Sequence, residues 1–461
     1  MRFFTIYTSK KNMVICWLLI KILYDYLSVN ILDGLWYQGY GSYAINYNPI
    51  KEIIGLLVML IVSLIYVQYN KNANFITSLM HTLFLIYYIP MNSSYSIQDL
   101  PNIYFFEVNI YFLLLIILTL GKFEFRDWRI NISSKVCIRT FDQKESFHNI
   151  QIILGFICIL CIICKVVYNG FSFSTSIFSE SLYDQRAAYV DAMNSMDSTF
   201  SGYLISLVLN LSAYAIPVYI YYSLRFKKFF SAFISVLALF SLFSIIAGKG
   251  TILFSIIILG LYYFEKRHIL RNFNRWMEIL LLIALAFCFV IYTLQNSFAV
   301  YFIVFRRAMF LPSWLNYLYY DFFSENIKVY LSQSTFILQR VIPSNYDCAP
   351  TILISRTYFN SLIPSPNTGL FADAYLNLGI WGILLYPIII SKISKFAGTV
   401  FDSYSSSIGI LIGIKFAINL TNVQIFRTDF VLSFFMLTIL MWLASKIKYC
   451  SIRKAVRYEK I

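Results

Sequence analysis

Long apolar runs recur along almost the whole chain, separated by short polar breaks. One reads "WMEILLLIALAFCFVIYTL" and another "NIYFFEVNIYFLLLIILTL". Their lengths cluster near 20 residues, which a helix needs to cross a hydrocarbon core of ~30 Å. The pattern predicts twelve spans, at 13–31, 52–69, 75–90, 103–120, 150–168, 202–222, 229–247, 251–264, 276–295, 371–390, 405–421 and 430–445. Backbone groups in lipid must pair within their own segment, so the expected fold class is all-α, a polytopic membrane protein. Only three connections are long: 121–149, 169–201 and 296–370. The expected organisation is a single transmembrane domain over 1–461 carrying these loops, the largest lying between the ninth and tenth spans.

Composition agrees. Of 461 residues, 59% are hydrophobic and only 13% charged, about half the charge of a soluble domain. The first apolar stretch carries Lys21 and Asp25 and lacks a small-residue cleavage pattern, so it reads as a span, not a cleaved signal. Lys21 and Asp25 stand four apart and are expected to pair.

Charge sets the orientation. With the N-terminus in the cytoplasm, cytoplasmic segments hold 25 of the 37 Lys and Arg, and outer segments hold nine. This satisfies the positive-inside rule with both termini cytoplasmic. The net charge of +15 then reports topology and contact with anionic lipid, not nucleic acid. Loop 121–149 becomes basic and cytoplasmic, while 169–201 and 296–370 face out. The run "CILCIIC" (Cys158, Cys161, Cys164) mimics a cluster-binding spacing, but it lies within an apolar span and lacks a fourth ligand. It reads as small packing residues.

The nine outer bases include Arg186 in the smaller loop and Arg306, Arg307, Arg340 and Arg356 in the larger. Positive charge is disfavoured on that side, and guanidinium is a planar, permanently charged partner for phosphate. Pairing with Asp321, Glu325 and Asp347 of the same loop is the plain alternative. Lys249 sits in "AGKGT", where flanking glycines permit a tight turn or a close ligand. Lys415 falls mid-span, an intramembrane charge with Glu107, Asp373 or a lipid phosphate as candidate partners. In the same span Gly409 and Gly413 form a GxxxG, a signal for close helix packing.

From Pro312 to Tyr330 the large loop is dense in aromatics, among them Trp314, Tyr317 and Tyr320. That density suits an interfacial helix with rings in lipid. The same rings suit a floor on which sugars stack. P-loop, HExxH and GxSxG motifs are missing, and the outer loops contain no histidine. A base on that face is therefore a carboxylate, if the reaction needs one.

Three stretches, "SLYDQRAAY" (181–189), "AGKGT" (247–251) and "FRRAMFLP…YYDFF" (305–323) with "NTGLFADAYLNLG" (367–379), resemble the Wzy-type polymerases of O-antigen and capsule repeat units. The span count and late outer loop are similar too. The resemblance implies a GT-C-like, metal-independent, inverting glycosyltransferase of the bacterial inner membrane. It implies no cofactor. Its partners would be donor and acceptor oligosaccharides on undecaprenyl pyrophosphate, with a chain-length regulator and a flippase as further partners in lipopolysaccharide or capsule synthesis. Carried over, Arg306, Arg307, Arg186 and Lys249 would bind pyrophosphate, and the charge reading of the large loop adds Arg340 and Arg356. Asp373, with Asp321 and Glu325 behind it, would act as base or orient the acceptor. Two rivals remain: an O-antigen ligase, expected to use a histidine that loop 296–370 lacks, and a lipid-linked oligosaccharide flippase.

Overall fold

A computed structural model describes residues 10–33, 43, 45–69, 72–121, 143–169, 200–246, 249–333, 338, 341–360, 367–425 and 433–444. Their backbone is helices joined by turns, with no strand among them. In chain order the helices are α1 (Lys10–Leu32), α2 (Pro49–Tyr69), α3 (Phe75–Leu83), α4 (Ile89–Ile97), α5 (Asn102–Leu120), α6 (Gln143–Asn169), α7 (Phe200–Arg225), α8 (Phe229–Ile246) and α9 (Lys249–Lys266). They continue as α10 (Phe273–Gln295), α11 (Ala299–Phe305), α12 (Leu311–Glu325), α13 (Pro350–Phe359), α14 (Leu370–Leu378), α15 (Ile380–Tyr404), α16 (Ser406–Leu420) and α17 (Ser433–Ala444). One π turn, Phe84–Tyr88, joins α3 to α4, and a second, Arg306–Phe310, joins α11 to α12.

Eight helices are long and apolar enough to cross a membrane: α1, α2, α5, α6, α7, α8, α10 and α15. The chain is thus a membrane-embedded helical protein. The other expected spans take different forms. Span 75–90 is longer, reaching Ile97, and is interrupted by the π turn. Nearly all of its residues are buried, which explains why it reads as apolar all round. Span 251–264 is α9, whose ends carry Lys249, Glu265 and Lys266. Spans 405–421 and 430–445 are the shorter α16 and α17.

Span 371–390 is displaced. The chain breaks at Gly379, and the membrane-length helix runs over Ile380–Tyr404. Gly379 has φ +58° and ψ −135°, a combination that side chains oppose. Hydropathy cannot see such a break, because residues on both sides are apolar. Three residues on, a Cβ at Gly382 would stand 1.9 Å from the Ala374 carbonyl oxygen. Gly382→Ala is therefore expected to cost about 1–3 kcal/mol. The check is thermal unfolding of purified protein in detergent; an unchanged midpoint would show that the corner relaxes freely.

Two compact units divide the chain. Unit 1 comprises Met1–Lys122, Arg271–Phe396 and Gly413–Thr428. Local signals fix its helix starts. Asn74 and Thr77 cap α3 reciprocally, and the Asn48 side chain accepts from the Ile50 and Lys51 amides at 3.1 and 3.3 Å ahead of α2. Connections distant in sequence meet within unit 1. Ala73 N donates to Arg271 O at 3.4 Å and Lys395 Nζ to Gly121 O at 3.2 Å. Elsewhere, Asn48 N donates to Ser96 O at 2.9 Å and Lys51 Nζ pairs with Asp99 at 2.7 Å. Gly413 packs as its GxxxG suggests, since a Cβ there would lie 2.5 Å from Phe75 O. Lys21 pairs with Asp25 as their spacing predicts, and also with Glu52, 3.0 Å away.

Unit 2 comprises Phe123–Leu270, Ala397–Ile412 and Asp429–Ile461. Buried Cys158 and Cys161 pack along α6, with Cys161 Sγ 3.9 Å from Ala238 O. Glu265 gathers hydrogen bonds from Tyr221 Oη at 2.8 Å and from Ser407, and lies 3.4 Å from Arg225 Nη1. Phe401 and Phe434 pack with ring centroids 6.1 Å apart.

Candidate functional site

The arginine pair falls in the π turn Arg306–Phe310. Such turns insert one residue into an α-helical path, and they concentrate at functional sites. Arg306 is held by α11 beneath it. Its guanidinium covers the Phe302 ring at 3.8 Å, and Nε donates to Phe302 O at 3.3 Å. Nη1 donates to Tyr43 Oη at 3.1 Å. The Tyr43 ring in turn meets Phe310 and Trp314 edge-on, both at 5.1 Å. Trp314 is half-buried and its ring meets Phe359 of α13 at 5.4 Å. Arg356 precedes Phe359 by three residues and is exposed. Tyr43 and Trp314 thus connect the π turn to the helix that bears Arg356.

None of the ion pairs within 4.0 Å among the described residues joins Arg306 or Arg356 to Asp321, Glu325 or Asp347. Cation–π contact with Phe302 orients a guanidinium without neutralising it. Arg307 is exposed beside Arg306.

Asp321 lies two turns beyond Trp314. Its oxygens accept from Tyr317 Oη at 3.3 Å and from Tyr358 Oη at 2.6 Å. Burial and the Asp321 charge push the Tyr358 phenol above its ordinary range, so it stays a donor. Glu325, one turn further, is exposed. Tyr317 and Tyr320 both pack on Tyr104 of α5, at 5.3 and 4.9 Å. Tyr320 is buried, its ring covered by Tyr375 at 4.4 Å and Phe371 at 6.1 Å. Of the three rings expected to stack sugars, Trp314 and Tyr317 keep part of their surface, and Tyr320 offers no open face. Leu315, Leu318, Tyr319 and Phe323 are buried as well, so α12 turns much of its apolar surface into unit 1 and is not an aromatic belt alone.

Glu107 joins from α5. Its carboxylate interacts with Tyr320 and with the charge of Lys328. The Lys328 ammonium sits over the Tyr375 ring at 4.7 Å and donates to Phe323 O. Burial pulls the Lys328 pKa below the ordinary lysine value, and Glu107 opposes that shift. The sequence offers Glu107 only as a partner for Lys415 and does not single out Tyr43 or Tyr358. An acid inside a span was a signal for Glu107; nothing local marked the two tyrosines.

Asp373 is fully buried in the first turn of α14. One oxygen accepts from Asn377 Nδ2 at 2.9 Å and the other from Ile425 N at 2.8 Å. Asn377 Oδ1 also accepts from Leu331 N at 2.9 Å. Asp373 therefore ties 425, 377 and the turn at 331 together, and both its oxygens are engaged. Lys415 is buried in α16. Lys249 opens α9 in unit 2, and its side chain lies outside the described residues. Arg186 and Arg340 also lie outside the described residues.

No protein-family model matches the chain, no curated protein matches it, and no solved structure matches it.

Proposed function

We propose that this chain joins oligosaccharide repeat units carried on undecaprenyl pyrophosphate into O-antigen or capsular polysaccharide. In this reading it is a Wzy-type, metal-independent, inverting glycosyltransferase of the cytoplasmic membrane. Its twelve spans keep both termini inside, and loop 296–370 works at the outer face. The observation that carries the reading is the Arg306–Arg307 pair: it sits in a π turn, and Arg306 is oriented by Phe302 and Tyr43 without an acidic partner.

A guanidinium fixed in advance suits charge that develops on a leaving diphosphate. The glycosidic C–O bond to pyrophosphate breaks, and its electron pair leaves with the lipid diphosphate held by Arg306, Arg307 and Arg356. The acceptor hydroxyl attacks the opposite face of the anomeric carbon and gives up its proton to a carboxylate. Asp321 is preferred for that role, with Glu325 next, because both keep exposed surface whereas Asp373 is fully buried inside unit 1.

A second reading, transport of the same lipid-linked unit, is favoured by the buried Lys21–Asp25–Glu52 cluster, since charges within spans mark transport paths. Purified protein incubated with a synthetic lipid-linked repeat unit is expected to yield a ladder on a gel. Movement of the unit across a vesicle wall with no ladder would replace the first reading with the second.

A further inference from the structure

Unit 1 buries a second set of ionisable groups, distinct from the arginine site. Helix α1 presents Trp17, Lys21, Asp25 and Ser28 at intervals of four, four and three residues, which puts them on one face. All four are buried. Two polar clusters gather along that face.

The first contains Glu278 of α10 and His81 of α3, both fully buried, with Oε1 and Nε2 3.3 Å apart. Tyr66 Oη is 3.5 Å from His81 Nδ1, and Ser78 donates to Asn274 Oδ1 at 2.8 Å. Arg275 is the cation whose field reaches Glu278. The Trp17 indole faces the Glu278 carboxylate, and Asn274 Nδ2 has no hydrogen-bond partner.

The second cluster lies one to two turns further along α1. Lys21 contacts Asp25 and both oxygens of Glu52, and Ser96 Oγ donates to Glu52 at 2.5 Å. Ser93 interacts with the Asp25 carboxylate, and Asn92 with the Tyr88 phenol. Asn92 reaches the cluster: a Cβ at Gly55 would stand 3.1 Å from Asn92 Oδ1 and 3.7 Å from Lys21 Cε. Glu52, in the first turn of α2, keeps a side chain 11% exposed.

An aromatic layer separates the two clusters. Trp17, Tyr66 and Phe84 meet at centroid distances of 4.7, 5.1 and 5.4 Å. Phe84 also opens the π turn between α3 and α4.

Charge in such a place must be matched. Two carboxylates face one ammonium in the second cluster, and an isolated ion is strongly disfavoured in low dielectric. Buried polar atoms without partners call for water or an ion. Acid–histidine series within spans mark proton relays. We propose that unit 1 carries protons along α1, from Glu278–His81 past the Trp17–Tyr66–Phe84 layer to Asp25–Lys21–Glu52. Each step moves one proton between a carboxylate, an imidazole or bound water, and needs no redox partner. The aromatic layer makes the path gated, not an open leak. This activity does not rest on the arginine site; it shares the Lys21–Asp25–Glu52 cluster with the transport reading.

The test uses the full chain in vesicles of phosphatidylethanolamine and phosphatidylglycerol with a pH dye inside. A potassium diffusion potential, negative inside, is set with valinomycin. Protein-containing vesicles are expected to acidify several-fold faster than protein-free ones. Glu278→Gln and Glu52→Gln should each bring the rate down to the protein-free value. Wild-type vesicles no faster than empty ones, or folded variants with undiminished flux, would overturn the proposal. If neither variant elutes as a folded species, carbodiimide on the wild-type protein decides. It should block the flux and label Glu278, Asp25 or Glu52 by mass spectrometry, and undiminished flux overturns the path. Ladder synthesis in detergent without proton flux would sink this inference and leave the polymerase reading standing.

Discussion

Replacing Arg306 and Arg307 together by alanine is expected to abolish polymer while single lipid-linked units persist. One fixed donor aimed at developing charge contributes about 10²–10³ in rate, so losing two should leave no measurable ladder. Arg306→Lys should be intermediate. It keeps a positive charge but loses the planar fork that lies on Phe302 and reaches Tyr43. The measurement is ladder length and rate with purified protein and a synthetic lipid-linked unit. A normal ladder from the double variant would remove the arginines from the mechanism, whatever their geometry.

Lys21→Met should be the most damaging single change to stability. Removing one partner of a buried charge cluster costs about 3–5 kcal/mol, because uncompensated charge is left behind. Here two carboxylates, Asp25 and Glu52, would face each other without their ammonium. Thermal unfolding in detergent should show a large fall in midpoint. Neutralising the acids in the same chain, with Asp25→Asn and Glu52→Gln, should recover most of it. A Lys21→Met protein as stable as the parent would mean that the cluster is solvated or already neutral.

The sequence made legible whatever a helical period or a charge asymmetry expresses. The long apolar spans, the Lys21–Asp25 pair and the odd position of Arg306–Arg307 all follow from near neighbours. Glu52 is not legible as a partner because it stands 31 residues from Lys21 and opens its helix as any polar end residue does. Tyr43 and Tyr358 are two of 37 tyrosines, and only the packing of α12 singles them out. The break at Gly379 is invisible to hydropathy, so the expected span 371–390 runs across it. Asp373 attracted a chemical role from its sequence context, while its contacts give it the work of holding three segments together.

Helix α14 begins without a cap of its own. Phe371 N donates to Tyr87 Oη at 3.0 Å and Ala372 N to Asn316 Oδ1 at 2.9 Å. Tyr87 also donates to Asn316 at 2.6 Å, and a Cβ at Gly369 would stand 2.3 Å from Asn316 Nδ2. In an apolar environment those two amides have nowhere else to turn. Helix α14, which opens the last fifth of the chain, thus depends on two earlier segments, at residues 87 and 316, for its own first turn. The start of α14 is therefore complete only where the early helix segment and the helix after the π turn both stand beside it.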